Sequence, residues 1–405
     1  MSTANVEIAD VVRGYGDAYL ERFGHCTPWQ QHRVLLDIAR CRTAAMGGHV
    51  DVCTECGLLR CAYNSCRNRH CPKCLGSARW RWTQAREAEL LGVPYFHVVF
   101  TLPQELAPLA LSNQRIVYNL LFKAVARTLS EVAADPKHLG ARIGFLAVLH
   151  TWGQKLNHHP HVHCVVPGGG LSPDGARWIS ARPNFFLHVK VLGKVFRGKF
   201  LDLLYRAYAA GRINCSGKLA QLRSRSAFKH LLARTKRHDW VVYSKAPFGG
   251  PTQVVRYLAR YTHRVAIANY RILALANGRV TFRYKDYADN NRIKVMSLPA
   301  LVFIRRFLMH VLPPGFMRIR YYGLMSNRHR SRHLALCRQR IAEAPISPTP
   351  LPVIPTEQPS DVPDPIDPER CPACRTRSMR LLRTYARPFL APHILAPPVL
   401  PWDTS

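Results

Sequence analysis

Acidic residues are scarce in this 405-residue chain: 24 Asp+Glu stand against 58 Lys+Arg, a formal net charge of +34 at pH 7. A deficit that large argues against a basic protein that merely stays soluble. It points to a polyanion, with nucleic acid first, because Lys and Arg that neutralise phosphates supply most sequence-independent affinity. Long apolar runs are also lacking, and none approaches the roughly 20 residues that span a bilayer. The opening MSTANVEIADVVRGYGDAYLERF is polar and acidic, without the basic start and apolar core of a secretory signal. No internal repeat is present. These absences lead to the expectation of a cytoplasmic, reducing setting, where clustered cysteines favour metal over disulfides.

Cysteine is what the chain has in excess. Six of its 13 cysteines fall in one short segment: Cys53, Cys56, Cys61, Cys66, Cys71 and Cys74. Cys53-x2-Cys56 and Cys71-x2-Cys74 are two knuckles, and two residues of spacing let both sulfurs point into one tetrahedron. The expected zinc set is therefore Cys53, Cys56, Cys71 and Cys74. The gap between the knuckles is short for a zinc ribbon, so Cys66 with His70, or Cys61 with Cys66, are alternates. A further C-x-x-C, Cys371 and Cys374, has no second pair in reach and reads as a vestige.

The histidines come next. Residues 158–163 read His-His-Pro-His-Val-His. In a strand, His161 and His163 share one face, while Val162, Cys164 and Val166 share the other. Two imidazoles side by side can grip a divalent metal. The preceding apolar run ARIGFLAVLHTW reads as a partner strand, from which either His150 or Gln154 could complete the site.

Tyr257 and Tyr261, four residues apart in TQVVRYLARYTHRVAI, lie on one face of an expected helix. Arg256, Arg260 and Arg264 surround them with positive charge. Tyrosines in that setting suit attack on a phosphodiester, aided by a metal that polarises the phosphoryl oxygens.

HHPHVHCVVPGGGL and YLARYTHR together resemble the two-tyrosine rolling-circle transposases of bacterial insertion sequences, members of the HUH nuclease class. SCRNRHCPKC is similar to the N-terminal zinc-binding domain of that family. PYFHVVFTLP, LHTWGQ, PFGGP, FRYKDY and FLMHVLPPGFMRIRYYG follow in the family's order, across roughly residues 20–330. The resemblance implies an α+β fold: a small zinc-binding N-terminal module, then an HUH nuclease domain with an antiparallel sheet flanked by helices. It implies Tyr257 and Tyr261 as nucleophiles and His161 and His163 as metal ligands. The implied cofactors are Zn2+ in the N-terminal module and Mg2+ or Mn2+ at the histidines. The implied reaction cuts and joins single-stranded DNA at element ends through a 5′-phosphotyrosine.

The expected division is 1–92, 93–330 and a tail at 331–405. Nine prolines between Pro345 and Pro368 mark the tail as a disordered linker. Expected DNA contacts are Arg67, Arg69, Lys73, Arg79 and Arg81 around the cysteines, Arg256, Arg260 and Arg264 beside the tyrosines, and Arg318 and Arg320 in the MRIRYYG block. Host replication factors are candidate partners, and a bacterial nucleoid the candidate location. Two other readings fit part of this pattern: a zinc-dependent DNA-binding regulator without catalysis, and a plasmid replication initiator or relaxase. A carboxylate-triad enzyme is disfavoured by the lack of an acidic constellation.

Overall fold

The computed structural model describes residues 6–245, 266–344, 367 and 369–387. Two helices open the chain, α1 (Ile8–Phe23) and α2 (Trp29–Arg40), followed by the hairpin β1 (Gly48–Cys53) and β2 (Leu59–Tyr63) and the basic helix α3 (Leu75–Glu87). Next come β3 (Tyr95–Thr101), α4 (Ala107–Ser112), α5 (Gln114–Ala134), β4 (Gly144–Trp152), β5 (His158–Pro167), β6 (Gly169–Leu171) and β7 (Trp178–Ser180). The helices α6 (Val189–Ala209) and α7 (Arg225–Lys236) lead to β8 (Val242–Lys245). After residue 265 come β9 (Ile272–Ala276), β10 (Arg279–Asp286), β11 (Arg292–Pro299), α8 (Ala300–Leu308), β12 (Ile319–Gly323), α9 (Arg330–Glu343) and β13 (Met379–Tyr385). The class is α+β, as expected.

Alternation in three apolar runs builds the central sheet, ordered β12-β4-β5-β3-β8 and antiparallel at every step. Phe96, Val98 and Phe100 of β3, Phe145, Ala147 and Leu149 of β4, and Val162, Cys164 and Val166 of β5 form one unbroken apolar face. It packs on Tyr118, Phe122 and Leu129 of α5 and Phe196, Phe200 and Leu204 of α6. Each large side chain buried there contributes about 1.5–3 kcal/mol of transfer free energy. On the opposite face, Leu146, Val148 and Val165 pack with Trp178 and with Leu334 and Cys337 of α9. That helix, read from sequence as the start of the tail, covers part of the central sheet.

A second core joins α1 and α2 to the β9–β11 sheet and α8, through Val11, Val12, Leu35 and Ile38 against Phe282, Phe303 and Phe307. Its β9–β10 turn is the Asn277-Gly278 pair, a dipeptide that favours such a turn. Both residues have positive φ, 50° and 70°, as a type I′ hairpin turn requires.

The third sheet, ordered β13-β1-β2, corrects the reading of the tail. β13 pairs antiparallel with β1, setting Cys53 opposite Met379 and His49 opposite Thr384. The end of the chain thus supplies a strand to the N-terminal module. The expected disordered stretch, 345–366 and Pro368, lies outside the described residues. Among the described residues, no helix is long and apolar enough to cross a membrane.

Gly323 ends β12 where two backbones nearly touch. Its φ is +58°, and a Cβ there would meet the Ile143 carbonyl oxygen at 2.0 Å. Gly323→Ala is expected to cost more than about 1 kcal/mol, read as a lower urea midpoint. An unchanged midpoint would show that β12 does not need this close approach.

Candidate metal centre

The face of the central sheet opposite the α5–α6 core carries the site. Strand alternation puts His161 and His163 together on β5, and the β4–β5 register sets His150 directly opposite His161. One ring nitrogen from each of His150, His161 and His163 lies within 4.8 Å of the others. The ring centroids are 4.2 Å apart for His150–His163 and 4.8 Å for His161–His163. The ladder is irregular between His150 and Trp152, beside Pro160. Proline has no N–H for a central ladder, so a local break at that point accommodates it.

Hydrogen bonds orient two of the rings. The Nδ1–H of His161 donates to the His159 carbonyl at 2.7 Å, which leaves Nε2 as its free donor of electrons. His163 Nδ1 lies 2.7 Å from His97 Nε2, with the two rings stacked at 5.0 Å. Burial pushes His161 down to about 4 and His97 down to about 4. His163 is held well below the ordinary value, first by burial and then by the neighbouring histidines. These imidazoles are therefore neutral at physiological pH, the form that binds metal. The donor set fits a divalent ion.

Of the two candidate third ligands, His150 is the one grouped with the pair. Gln154 donates from Nε2 to Tyr287 at 3.1 Å, and its backbone carbonyl accepts from Arg271 at 2.7 Å. His97, behind His163, was not anticipated. The only signal in the sequence is a histidine inside an otherwise apolar run, and that does not reveal that β3 lies beside β5.

The thiols form two groups, which corrects the single expected tetrad. Cys71 and Cys74 meet Cys41 and Cys66, whereas Cys53 and Cys56 meet Cys371 and Cys374. The β1–β2 hairpin separates the two expected knuckles, and Cys41, at the end of α2, fills the first group. In that group Cys41–Cys74 and Cys66–Cys74 sulfurs are 3.4 and 3.5 Å apart. A zinc tetrahedron with bonds of about 2.3 Å sets its sulfurs about 3.8 Å apart. Contact among the sulfurs, Cys41 first, drives the Cys74 thiol far down and the Cys66 thiol far up. Of the alternates, Cys66 joins this group, while Cys61 is exposed on β2 and joins neither. His70 is occupied otherwise: its Nε2 accepts the Leu312 N–H at 3.1 Å, and its Nδ1–H donates to Asn68 at 3.1 Å.

Comparison with known proteins bears on both centres. The "Putative transposase" family model matches residues 144–332, and the "Transposase zinc-binding domain" model matches residues 11–102. The chain is 48% identical over 411 residues to "Putative transposase y4qJ" of Sinorhizobium fredii, covering 100% of both proteins. The chain belongs to the two-tyrosine insertion-sequence transposases with an N-terminal zinc-binding domain. This transposase is also similar to "Transposase for insertion sequence element IS801" of Pseudomonas savastanoi pv. phaseolicola, 29% identical over 314 residues, 76% of this chain and 74% of the relative. A solved structure of TrwC complexed with a 27-mer DNA aligns over 61% of this chain and 72% of that one. The identity is 14% and the TM-score 0.21, too low to define a common fold. The zinc-binding model and the thiol groups together support zinc in the transposase.

Tyr257, Tyr261, Arg256, Arg260 and Arg264 lie outside the described residues. Among the other basic candidates of the transposase, Arg67 and Arg81 are exposed. Arg79 falls within α3, and Lys73 pairs with Glu7 at 2.5 Å. Arg69 is a strut: it donates to the carbonyls of Phe316 at 2.6 Å and Pro313 at 2.8 Å, and burial pushes its guanidinium down. Arg320 lies over the Phe122 ring at 4.1 Å, on the sheet face turned away from the histidines. Burial, with Arg69 nearby, holds Arg318 down at about 10. Arg69 and Arg320 are therefore both engaged within the fold.

Two predictions follow from the buried imidazoles. His70 and His310 are pushed down to about 3, and His97, His158 and His161 to about 4, in each case first by burial. An unfolded histidine titrates near 6.5, so between about 6.5 and 4 the unfolded chain binds more protons. Stability is therefore full above about pH 6.5 and falls as the pH is lowered, by up to about 1.4 kcal/mol per pH unit for each such histidine. Thermal unfolding followed from pH 7.5 to 5 checks this; a flat profile would contradict it. Separately, His97→Phe removes the partner of His163 Nδ1 and is expected to weaken Mn2+ affinity about 10–100-fold. Titration of the zinc-loaded protein with Mn2+ measures it, and an unchanged affinity would show that the His97 contact does not orient His163.

Proposed function

We propose that this transposase cuts and joins single-stranded DNA at the ends of its element, using Tyr257 and Tyr261 as nucleophiles beside a metal held by His150, His161 and His163. The observation that carries the reading is the grouping of three imidazoles on one face of the sheet, with His161 and His163 held neutral by burial. Family membership supports the chemistry, because the YLARY segment falls inside the matched transposase region. A divalent ion there would polarise a phosphoryl oxygen and offset the charge that develops on it. An all-imidazole face suits a transition-metal ion better than Mg2+, which prefers oxygen ligands.

In the proposed step, one tyrosine oxygen attacks the phosphorus. The bond to the 3′ oxygen breaks, that oxygen takes up a proton, and the 5′ phosphate remains esterified to tyrosine. The ester conserves the phosphodiester energy, so no nucleotide cofactor is consumed. The second tyrosine allows another strand transfer while the first ester persists. The excess of 34 positive charges draws in the strand, and exposed Arg67 and Arg81 are available to its phosphates.

The test is a denaturing gel of labelled single-stranded oligonucleotides from the flanks of the gene, incubated with protein and Mn2+. A slow adduct present in wild type and absent from Tyr257→Phe/Tyr261→Phe is the expected result. DNA shifted in native gels with no adduct from any protein would favour a binding-only zinc protein. His161→Ala/His163→Ala is expected to lose the adduct while keeping most DNA affinity, since phosphate contacts lie elsewhere. Equal loss of binding would make the histidines structural.

A further inference from the structure

Cys53, Cys56, Cys371 and Cys374 come together from opposite ends of the chain. The family models end at residues 102 and 332, so they span only Cys53 and Cys56 of this set. We propose that these four thiolates hold a second structural zinc ion, a clasp that fastens the C-terminal strand β13 into the N-terminal module.

Three independent features of the geometry support it. First, the sulfurs are spaced for a tetrahedral ion: Cys53–Cys374 is 3.6 Å and Cys56–Cys371 is 3.7 Å. Four sulfurs about 2.3 Å from a central zinc sit about 3.8 Å apart, whereas a disulfide would bring a pair to about 2.05 Å.

Second, the two knuckles share one backbone design. In the first, Gly57 N–H donates to the Cys53 carbonyl at 3.0 Å and Cys53 N–H to the Leu58 carbonyl at 2.9 Å. In the second, Arg375 N–H donates to the Cys371 carbonyl at 3.0 Å and Cys371 N–H to the Thr376 carbonyl at 2.8 Å. Gly57 and Arg375, each directly after the second cysteine, both have positive φ, 71° and 61°. A non-glycine residue in that conformation is uncommon, and here it repeats the turn of a partner knuckle far away in sequence. Hydroxyls also approach the sulfurs: Ser378 lies 3.0 Å from Cys53 Sγ and Thr376 2.9 Å from Cys374 Sγ, placed to donate to thiolates.

Third, beyond its ladder with β1, little side-chain burial holds the strand down. Met379 is the one buried residue of β13, and Leu381, Leu382 and Tyr385 are exposed. The local core consists of Cys53, Cys371 and Met379, with Leu58 packed against it. So small a cluster contributes little against the entropy of ordering the segment, whereas a tetrathiolate zinc site contributes folding free energy directly. Arg377 adds an ion pair with Asp367 at 2.9 Å and a stack on Trp80 at 5.0 Å. Both are partly exposed contacts of small worth.

The test uses the full-length protein reconstituted with Co2+, whose thiolate charge-transfer absorption counts sulfur-bound sites and is silent for ions bound only by histidine. Wild type is expected to titrate to two tetrathiolate sites per chain, and Cys371→Ser/Cys374→Ser to one. Trypsin is expected to cut at Arg380 and Arg383 much faster in that variant. Cys374→His, which keeps a Cys3His set, is expected to retain both the second ion and the protection. Saturation of wild type at one site would overturn the proposal whether or not any variant folds. Two sites retained in the double serine variant would overturn it as well.

Discussion

The pairing of His150 with His161 is the constraint on which the candidate site depends. It is one rung of the β4–β5 ladder, and the rung is set from the far side of the sheet. Phe145, Ala147, Leu149, Val162, Cys164 and Val166 are all buried against α5 and α6. Slipping either strand by one residue would expose those side chains and turn the imidazoles into the core. Hydrophobic burial on one face thus sets the spacing of nitrogen donors on the other. Burial on their own face holds His161 and His163 neutral, since charge is penalised where water is excluded. His97 and the His159 carbonyl then fix ring orientation at a finer level.

The thiol groups apply a different constraint to the same end. The first ties the end of α2 to the loop before α3, and Arg69 of that loop reaches the carbonyls of Pro313 and Phe316 just ahead of β12. His70 receives the Leu312 N–H at the same junction. The zinc-binding segment is therefore joined by buried polar contacts to the loop that feeds an edge strand of the histidine sheet. The second group draws the end of the chain onto β1. Among the described residues, neither the N-terminal module nor β13 is an appendage to a free-standing central-sheet domain.

What could be read in the residues was local. Strand patterns located β4 and β5 and the face shared by His161 and His163. His150 could be named only as one of two candidates, because register depends on a loop and a ladder break that the pattern does not reveal. Groupings across long separations were not legible: Cys41 lies outside the dense cysteine segment, and Cys371 meets Cys53 only because β13 returns to β1. Spacing alone favoured the nearest two knuckles, and the hairpin between them sends each to another partner. Charge was equally blind to burial. Arg69 and Arg320 read as phosphate contacts, and the sequence does not reveal that one reaches backbone carbonyls and the other an aromatic face within the fold.

The most direct test of the metal centre is pulsed EPR of Mn2+ added to protein whose thiol sites are already filled with zinc. The account predicts one Mn2+ per chain with strong coupling to directly bound histidine nitrogens, reduced when His150 is replaced by Ala. Mn2+ without nitrogen coupling, or a spectrum unchanged in that variant, would contradict the assignment of the three histidines as one metal centre.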